Sequence, residues 1–485
     1  MQKHYLFLTL ILLLAVQSVS FAQNKKQEKE SEKVLKALNA SQDAYAQTAK
    51  RIWDLAELGF LETESTALLQ KHLRDAGFTI ETGVAGMPTA FVASWGSGKP
   101  VIGLLAEYDA LPGLSQAAAA EPQQRPETTN GHGCGHHLFG TGSVAAAIAV
   151  KEWLESAKLP GAIKLYGTPA EEGGGAKVYM VREGLFNDVD AVLTWHPGSV
   201  NASSPHSTLA AVGINFKFTG IASHAAGAPE RGRSALDGVE SLNFMANLMR
   251  EHIPEDARIH YVITRGGEAP NVVPAFAQVN YIIRHPDMPT VREIQKRVIK
   301  AAEGAAQGTE TRMEYEFEMG YYNTMPNVIL SELMHRCLTQ VGGVTYTPEE
   351  HIFAEKIMTS YPAGELRPES AAAVLPFHKE VEVAPASSDV GDISWVIPTA
   401  SMSAATWAPG TSAHSWQAVA AGGTGIGIKG MMVAAKTMAL SAMAIFRDPQ
   451  IAVQAREELQ TRRGPDFKYE SLVGNMAPPL NYRKK

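Results

Sequence analysis

Apolar runs that do not alternate strictly with polar residues recur in the N-terminal half of the chain and predict buried strands. The runs lie at Ala90–Trp95, Val101–Ala106, Ala162–Tyr166 and Ala191–Trp195. Between them stand stretches with helical spacing, the longest over Leu138–Ser156. Apolar strands that alternate with helices are typical of a sheet covered on both faces. We therefore predict an α/β domain with a central, mainly parallel sheet and flanking helices.

Two helices are predicted before the first strand. They span Ser41–Glu57 and Thr63–Ala76. Ser41 and Thr63 are the expected N-caps, and Gly59 and Gly77 are expected to end the two helices.

The pattern changes near Ala210, where a half-exposed, alternating strand begins. The predicted order from there is strand, helix, strand, strand, helix, strand, which is the ferredoxin-like order. The elements are Val212–Thr219, Ala235–Glu251, Arg258–Thr264, Ala277–Arg284, Val291–Ala306 and Arg312–Met319. We place this inserted α+β domain at 208–322 and the first domain at 23–207 and 323–485. Its second part is expected to hold Val328–Val341 (helix), Ala400–Trp407 (strand), Ala413–Phe446 (long helix) and an irregular surface arm after Arg462.

The N-terminus reads as a signal peptide over residues 1–22. A short apolar run, Tyr5–Val16, follows Lys3 and precedes a small-x-small cleavage pattern that ends at Ala22. We expect an exported protein, periplasmic or secreted, without a membrane partner after cleavage, because we expect no other run to be long and apolar enough to span a bilayer. The net charge of −7 argues against a nucleic-acid partner.

The segment Gly131-His132-Gly133-Cys134-Gly135-His136-His137 concentrates a thiol and three imidazoles. Thiolate and imidazole are ligands that zinc prefers. The chain has one other cysteine, Cys337, in a helical pattern that favours a buried apolar role over a disulfide.

More residues of the ligand type follow predicted strands, and the carboxyl ends of parallel strands meet at one edge of a sheet. They are Glu171, Glu172, His196 and His414. One of the two adjacent glutamates can bind a metal while the other accepts a proton from water. An acidic helix N-terminus is the alternative for Glu171 and Glu172, and a solvated helix start is the alternative for His414.

Other acids are candidates for supporting roles. Glu107 and Asp109 follow the strand Val101–Ala106, where a carboxylate can orient a histidine ligand. Asp389 and Asp392 suit either support from a loop or a cap or turn. In the inserted domain, His224, Asn271 and Arg284 suit recognition of a carboxylate and an oxyanion, although each alone also has a structural explanation.

In this order, the motifs resemble those of the co-catalytic metal amidohydrolases related to aminoacylase, carboxypeptidase G and the auxin-conjugate hydrolases. Within that family they are most similar to the p-aminobenzoyl-glutamate hydrolase group. The residues concerned are Glu107–Leu114, Gly131–His136, Glu171–Gly173, Thr194–Pro197, Ser223–Ala225, Asn271–Pro274 and His414. The resemblance covers nearly the whole chain after residue 22. It implies a zinc-exopeptidase-like catalytic domain and a ferredoxin-like lid that forms homodimers.

The resemblance also implies roles for individual residues. The metal ligands would be Cys134, His136, Glu172, His196 and His414, which bind two divalent ions, zinc or manganese. Glu171 would be the general base, His224 would stabilise the tetrahedral intermediate, Asn271 and Arg284 would bind substrate, and Asp109 would support a ligand from behind. Two positions depart from the family pattern: His137 stands where relatives often carry Asp or Asn, and Glu107 stands where the wider superfamily has a histidine ligand.

We accordingly predict a metal-dependent amidohydrolase that cleaves an N-acyl or N-aroyl amino acid similar to p-aminobenzoyl-glutamate. A dipeptidase or carboxypeptidase using the same site is the second interpretation. A binding protein without activity is the third, although such a protein has no use for a spare base beside a ligand.

Overall fold

The structure is a computed structural model and describes residues 25–484. The predicted signal peptide, 1–22, lies outside the described residues. The first described element is a helix, α1, over 25–40, in a stretch for which the sequence predicted no element.

Six strands form the central sheet in the order β1-β2-β4-β3-β5-β12. They are β1 (Thr79–Thr82), β2 (Phe91–Ser97), β3 (Val101–Ala106), β4 (Gly161–Gly167), β5 (Ala191–Gly198) and β12 (Thr399–Ala405). The last four of these strands pair in parallel, whereas β1 and β2 are antiparallel. The predicted mainly parallel sheet is thereby confirmed.

Helices cover this sheet. They are α2 (Gln42–Leu55), α3 (Thr63–Asp75), α4 (His136–Ala157), α5 (Ala176–Arg182), and, after the inserted domain, α8 (Val328–Val341), α9 (Pro348–Met358), α10 (Val390–Val396), α11 (Trp416–Gly422), α12 (Gly425–Arg447) and α13 (Gln450–Arg463). A short two-stranded ladder joins β6 (His206–Ser207) to β11 (Glu382–Val383). All six residues of β3 are buried, and α4 is buried from His136 through Ala147, as expected of elements covered on both sides.

The inserted domain has a sheet of its own in the order β10-β7-β9-β8, with every pair antiparallel. Its elements are β7 (Ala210–Thr219), α6 (Ala235–Met249), β8 (Arg258–Arg265), β9 (Phe276–His285), α7 (Met288–Gly308) and β10 (Arg312–Tyr321). In sequence order the strands are arranged 4-1-3-2, which is the ferredoxin-like topology predicted from the sequence. Alternate residues of β9 are buried, so one face of the sheet packs against the two helices.

Three local predictions were wrong. The predicted helix Ala413–Phe446 is two helices, because the Thr424 hydroxyl accepts a hydrogen bond from Ile426 N–H and starts α12 anew. Neither Ser41 nor Thr63 caps a helix through its side chain; the Glu57 carboxylate accepts the bonds from the first turn of α3 instead.

The prediction of an irregular surface arm after Arg462 also needs correction. Residues 464–484 lack helices and strands, but Leu472 and Val473 are buried, each 2% exposed. The prediction that no further run could span a bilayer was wrong for α12, which has the length and apolar composition to do so. Of its 18-residue apolar window, 78% is buried within the protein.

Candidate metal centre

The predicted ligands lie at one edge of the central sheet, where the parallel strands end. β3 leads into Glu107 and Asp109, β4 leads into the loop 168–175 with Glu171 and Glu172, and β5 carries His196 near its end. His414 reaches the same place from the loop after β12, and its backbone N–H donates to Gly133 O at 2.9 Å.

A glycine fixes the approach of the Cys134 segment. Gly135 precedes α4 with φ of 76°. A Cβ at that position would stand 2.6 Å from Cβ of Pro197, in the strand end that carries His196. The left-handed backbone and the close contact both favour glycine, and together they bring Cys134 and His136 against β5.

The donor atoms form two compact groups that share a thiol. Within each group all candidate ligand atoms lie within 4.8 Å of one another. The groups are Cys134, His136 and His196, and Cys134, Glu172 and His414. Cys134 Sγ lies 3.4 Å from His196 Nε2, and Glu172 Oε1 lies 3.1 Å from His414 Nε2. Each group therefore offers three ligand atoms that are close enough to bind a cation.

Hydrogen bonds from behind orient the two inner histidines. His136 Nδ1 lies 2.9 Å from Asp109 Oδ1, and His196 Nδ1 lies 2.7 Å from Pro197 O. With both Nδ1 atoms donating, the Nε2 lone pairs are free to face the cavity. Asp109 also accepts from Glu172 N–H at 2.9 Å, so it supports a second ligand.

A third group includes Glu107, which is not among the metal ligands predicted from the sequence. Glu107 Oε2 lies 3.0 Å from His136 Nε2, and Glu171 completes the group. Two buried atoms of this group, Glu107 Oε2 and His136 Nε2, have no hydrogen-bond partner among the described residues. The same holds for Glu172 Oε1 of the second group. Lone pairs that face one another in a buried site are stable when a proton or a metal ion lies between them, and thiolate, imidazole and carboxylate together form a donor set that fits a metal. The strand-end position of Glu107 was the signal available in the sequence.

Lys177 is the functional residue that sequence reasoning missed. It is wholly buried, and its Nζ lies 2.7 Å from Glu107 Oε1 and 2.7 Å from Asp389 Oδ1. Burial opposes its charge, but Asp389 and Glu107 raise the pKa of Lys177 above the usual lysine range. Lys177 lies in the mostly apolar helix Ala176–Arg182, directly after the glutamate loop, and the sequence gives no sign that its partners are buried acids.

Glu171 lies in the same cavity as these ligands. Burial, followed by the charges of Glu107 and Glu172, raises the pKa of Glu171 well above that of an ordinary glutamate. Glu171, Glu172, Cys134, His196 and His414 all line one cavity of roughly 410 Å³. Hydroxyl-bearing residues line much of the remaining wall, among them Thr194, Thr208, Ser331, Ser387, Thr399 and Ser401.

The residues predicted in the inserted domain are divided by the structure. Arg284 does not itself line the cavity, but it donates at 3.1 Å to the Oγ of Ser387, which does. His224 and Asn271 do not line the cavity; they are exposed on two segments joined by a hydrogen bond from Ala225 N–H to Asn271 O. The Nδ1 of His224 accepts from Gly227 N–H, so its Nε2 faces outward as a donor.

His137 takes no part in the ligand groups. Its Nε2 lies 3.0 Å from Gly422 O, and its ring packs at 4.8 Å from the ring of His132. His137 thus joins α4 to the end of α11, whereas His132 Nε2 lies 3.1 Å from Ile52 O in α2. Asp392, the other open candidate, is buried and accepts from Tyr469 Oη at 2.6 Å, away from the ligand groups.

Comparison with known proteins gives the same family from several directions. A sequence model described as peptidase family M20/M25/M40 matches residues 103–417. A p-aminobenzoyl-glutamate hydrolase chain of Escherichia coli (strain K12) is 44% identical over 449 residues, 87% of this chain and 93% of that protein. The Xaa-Arg dipeptidase of Mus musculus is 27% identical over 85% of this chain and 88% of its own length. The solved aminobenzoyl-glutamate utilization protein from Klebsiella pneumoniae, 19% identical, shares the fold with a TM-score of 0.59 over 84% of this chain and 97% of its own.

The placement of Lys177 leads to a stability prediction. Lys177→Met removes the positive partner of two buried carboxylates, so the free energy of unfolding should fall by about 3–5 kcal/mol. In the matched control, Lys71→Met, both side chains of the pair with Asp75 are more than 60% exposed, and the change should stay below about 1 kcal/mol. Urea unfolding of the metal-free proteins measures both. Equal stability of Lys177→Met and wild type would contradict the assignment.

Proposed function

The chain belongs to the M20/M25/M40 peptidase family and is a hydrolase of amide bonds, and on that premise we propose that it cleaves N-acyl or N-aroyl amino acids. One observation carries the proposal. Cys134, Glu172, His196 and His414 surround one cavity, and Glu171 stands in the same cavity as a carboxylate outside the two ligand groups that share Cys134. A site built only to store or bind a cation has no need of that fifth group.

The cofactor proposed is a pair of divalent ions, zinc or manganese. Two ligand groups that share Cys134 support the count of two. Thiolate and imidazole suit zinc, whereas the carboxylates around Glu172 also suit manganese. When bound, such ions supply Lewis acidity, which lowers the pKa of water and polarises a carbonyl.

The residues of the chain carry the proton in this proposal. Glu171 accepts a proton from water as the water oxygen bonds to the amide carbon. Glu171 then delivers that proton to the amine nitrogen as the carbon–nitrogen bond breaks, which yields a carboxylic acid and an amine. Asp109 keeps His136 and Glu172 in place throughout, because it accepts hydrogen bonds from the His136 ring and from the Glu172 backbone N–H.

The assignment of Glu171 is testable by an isosteric change. Glu171→Gln keeps the shape but cannot accept the proton, so kcat should fall by about 10²–10⁴-fold while the metal content stays unchanged. The exposed Glu183 at the end of α5 offers a control, because Glu183→Gln should keep wild-type kcat. Steady-state kinetics measure kcat, and elemental analysis measures the metal content. Near-normal turnover by Glu171→Gln would show that another group is the base.

The substrate class is proposed from the rim of the cavity and from the relatives. Arg284 reaches Ser387 at the cavity wall, where its guanidinium can pair with the carboxylate of an amino acid. The 44% identical relative is named for p-aminobenzoyl-glutamate, a compound that carries such carboxylates. We therefore propose p-aminobenzoyl-glutamate or a similar aroyl amino acid as the substrate. A dipeptidase is the second candidate, on the likeness to the Xaa-Arg dipeptidase.

Removal of the guanidinium tests the substrate class. Arg284→Ala should raise KM roughly tenfold for p-aminobenzoyl-glutamate, with a smaller change in kcat. Arg312→Ala, an exposed arginine on the strand β10, is the matched control and should leave KM unchanged. The same assay on free-amine dipeptides separates the two candidates, and faster cleavage of those dipeptides by the wild-type protein would favour the dipeptidase.

A homodimer through the inserted domain is proposed from its surface. β8 is an edge strand whose exposed side chains include Tyr261, Val262 and Ile263. Beside it on α6, Phe244 and Leu248 are 66% and 57% exposed. An apolar edge strand beside an apolar helix face is a surface that proteins normally cover. The exposed His224 would then complete the site of a second copy of this chain.

A charge on the edge strand should separate the two copies. Val262→Asp places a carboxylate where apolar surface would be covered, so the dimer should dissociate at least roughly tenfold more readily and activity should fall with it. Ile352→Asp on α9 alters an equally exposed apolar residue outside this surface and should have no effect. Sedimentation velocity over a concentration series measures the dissociation. A wild-type protein that remains monomeric at high concentration would contradict the proposal.

Export is proposed as well, on the apolar segment and cleavage pattern of residues 1–22. Mass spectrometry of the protein from its native source would show a chain beginning at Gln23 if the cleavage occurs. A chain beginning at Met1 would contradict it.

A further inference from the structure

The C-terminal arm, residues 464–484, ends against the loop that carries the spare carboxylate. Tyr482 Oη donates to Glu172 O at 3.1 Å, and Arg483 Nη2 donates to the same oxygen at 2.7 Å. We propose that Tyr482 and Arg483 are positioning residues, which hold the backbone of the Glu171–Gly173 loop in its catalytic geometry. The proposal deepens the proposed function and rests on it, since it concerns the same site.

Backbone hydrogen bonds within the loop run from Gly173 N–H to Glu171 O at 2.7 Å and from Gly174 and Gly175 N–H to Ala170 O at 2.8 Å. Among the described residues, none of these bonds reaches the Glu172 carbonyl. Three successive glycines, Gly173–Gly175, follow the two glutamates, and two of them adopt positive φ, 104° and 66°. Ala170, before the glutamates, also has a positive φ of 55°. Glycines increase the conformational entropy that must be lost when a loop is ordered. A ligand and a base on such a loop require outside contacts to stay in place.

Side chains from three separate parts of the chain add to these backbone bonds. Glu62 accepts from Ala170 N–H at 2.8 Å on one side of the glutamates. Asp109 accepts from Glu172 N–H, and the arm donates to Glu172 O. The peptide groups on both sides of Glu172 are therefore fixed, and within residues 25–484 the arm supplies the side-chain donors to its carbonyl. One of these donors is charged, which makes the stronger kind of hydrogen bond.

The end of the arm is itself well anchored. The Tyr482 ring packs edge-on against Phe60 at 5.8 Å. A Cβ at Gly59 would collide with the Tyr482 hydroxyl, so the glycine leaves room for this contact. Further back, Arg182 donates to Met476 O at 2.7 Å, and Tyr469 donates to Asp392. The arm thus reaches the loop from a fixed path and not as a free end.

Two substitutions remove the hydrogen bonds, and the second also removes the Arg483 guanidinium that lies 4.8 Å from the centre of the Tyr482 ring. Tyr482→Phe keeps the ring against Phe60 but loses the donor, and Arg483→Ala removes the charged donor. In the double variant, amide hydrogen exchange of residues 168–176 in the metal-free protein should become about tenfold faster, with the rest of the protein unchanged. Zinc loss to a chelator should accelerate by about tenfold, and kcat should fall more than KM rises. Arg483→Lys should recover part of each effect.

Asn481→Ala and Lys484→Ala are the matched controls, because both side chains are exposed beside the two positioning residues. They should match wild type in every measurement. The proposal is overturned if the double variant exchanges, loses zinc and turns over as wild type does, or if exchange rises equally throughout the protein. Exchange and zinc loss involve no substrate, so a wrong substrate assignment leaves these two measurements unaffected.

Discussion

One buried carboxylate, Asp109, joins two ligand segments that follow different elements of the chain. Its two oxygens accept from the His136 ring at the start of α4 and from the Glu172 backbone after β4. Burial alone raises the pKa of this acid, but His136 and the Glu172 N–H hold it below the usual range. A buried carboxylate is stable only when its oxygens are paired, and here the pairing sets the distance between two ligands. The apolar strand β3 determines where that carboxylate stands.

The same edge of the sheet concentrates negative charge to a degree that a protein interior rarely tolerates. Glu107, Asp109, Glu171, Glu172 and Asp389 lie close to one another and are largely or wholly buried. Lys177 is a cation within this group, and it pairs with Glu107 and Asp389. The remaining acids face the thiol and the histidines, where divalent cations are the natural counter-charge. Folding and metal binding are therefore linked at this site.

The sequence was informative where chemistry and local pattern coincide. The runs Val101–Ala106 and Val328–Val341 appear in the structure with the same bounds, because apolar strands and amphipathic helices are determined locally. The metal motif could be read because its ligands stand at strand ends. The sequence did not reveal the roles of Lys177, Glu62 and the arm, because those roles depend on partners up to a few hundred residues away. A lysine in an apolar helix looks the same whether its partner is solvent or Asp389.

One short segment connects the inserted domain to the charged group beside the ligands. Ser387 accepts a hydrogen bond from Arg284 on β9, and two residues later Asp389 binds both the backbone and the side chain of Lys177. Lys177 in turn contacts Glu107, which faces His136. Residues 387–389 therefore contact both β9, through Arg284, and Lys177, which pairs with Glu107 beside the predicted ligand His136. If substrate binds as proposed, its carboxylate would give Arg284 a charged partner in place of a neutral hydroxyl, and charged pairs are the stronger. The serine that would be displaced in this way belongs to the segment that also pairs with Lys177 through Asp389.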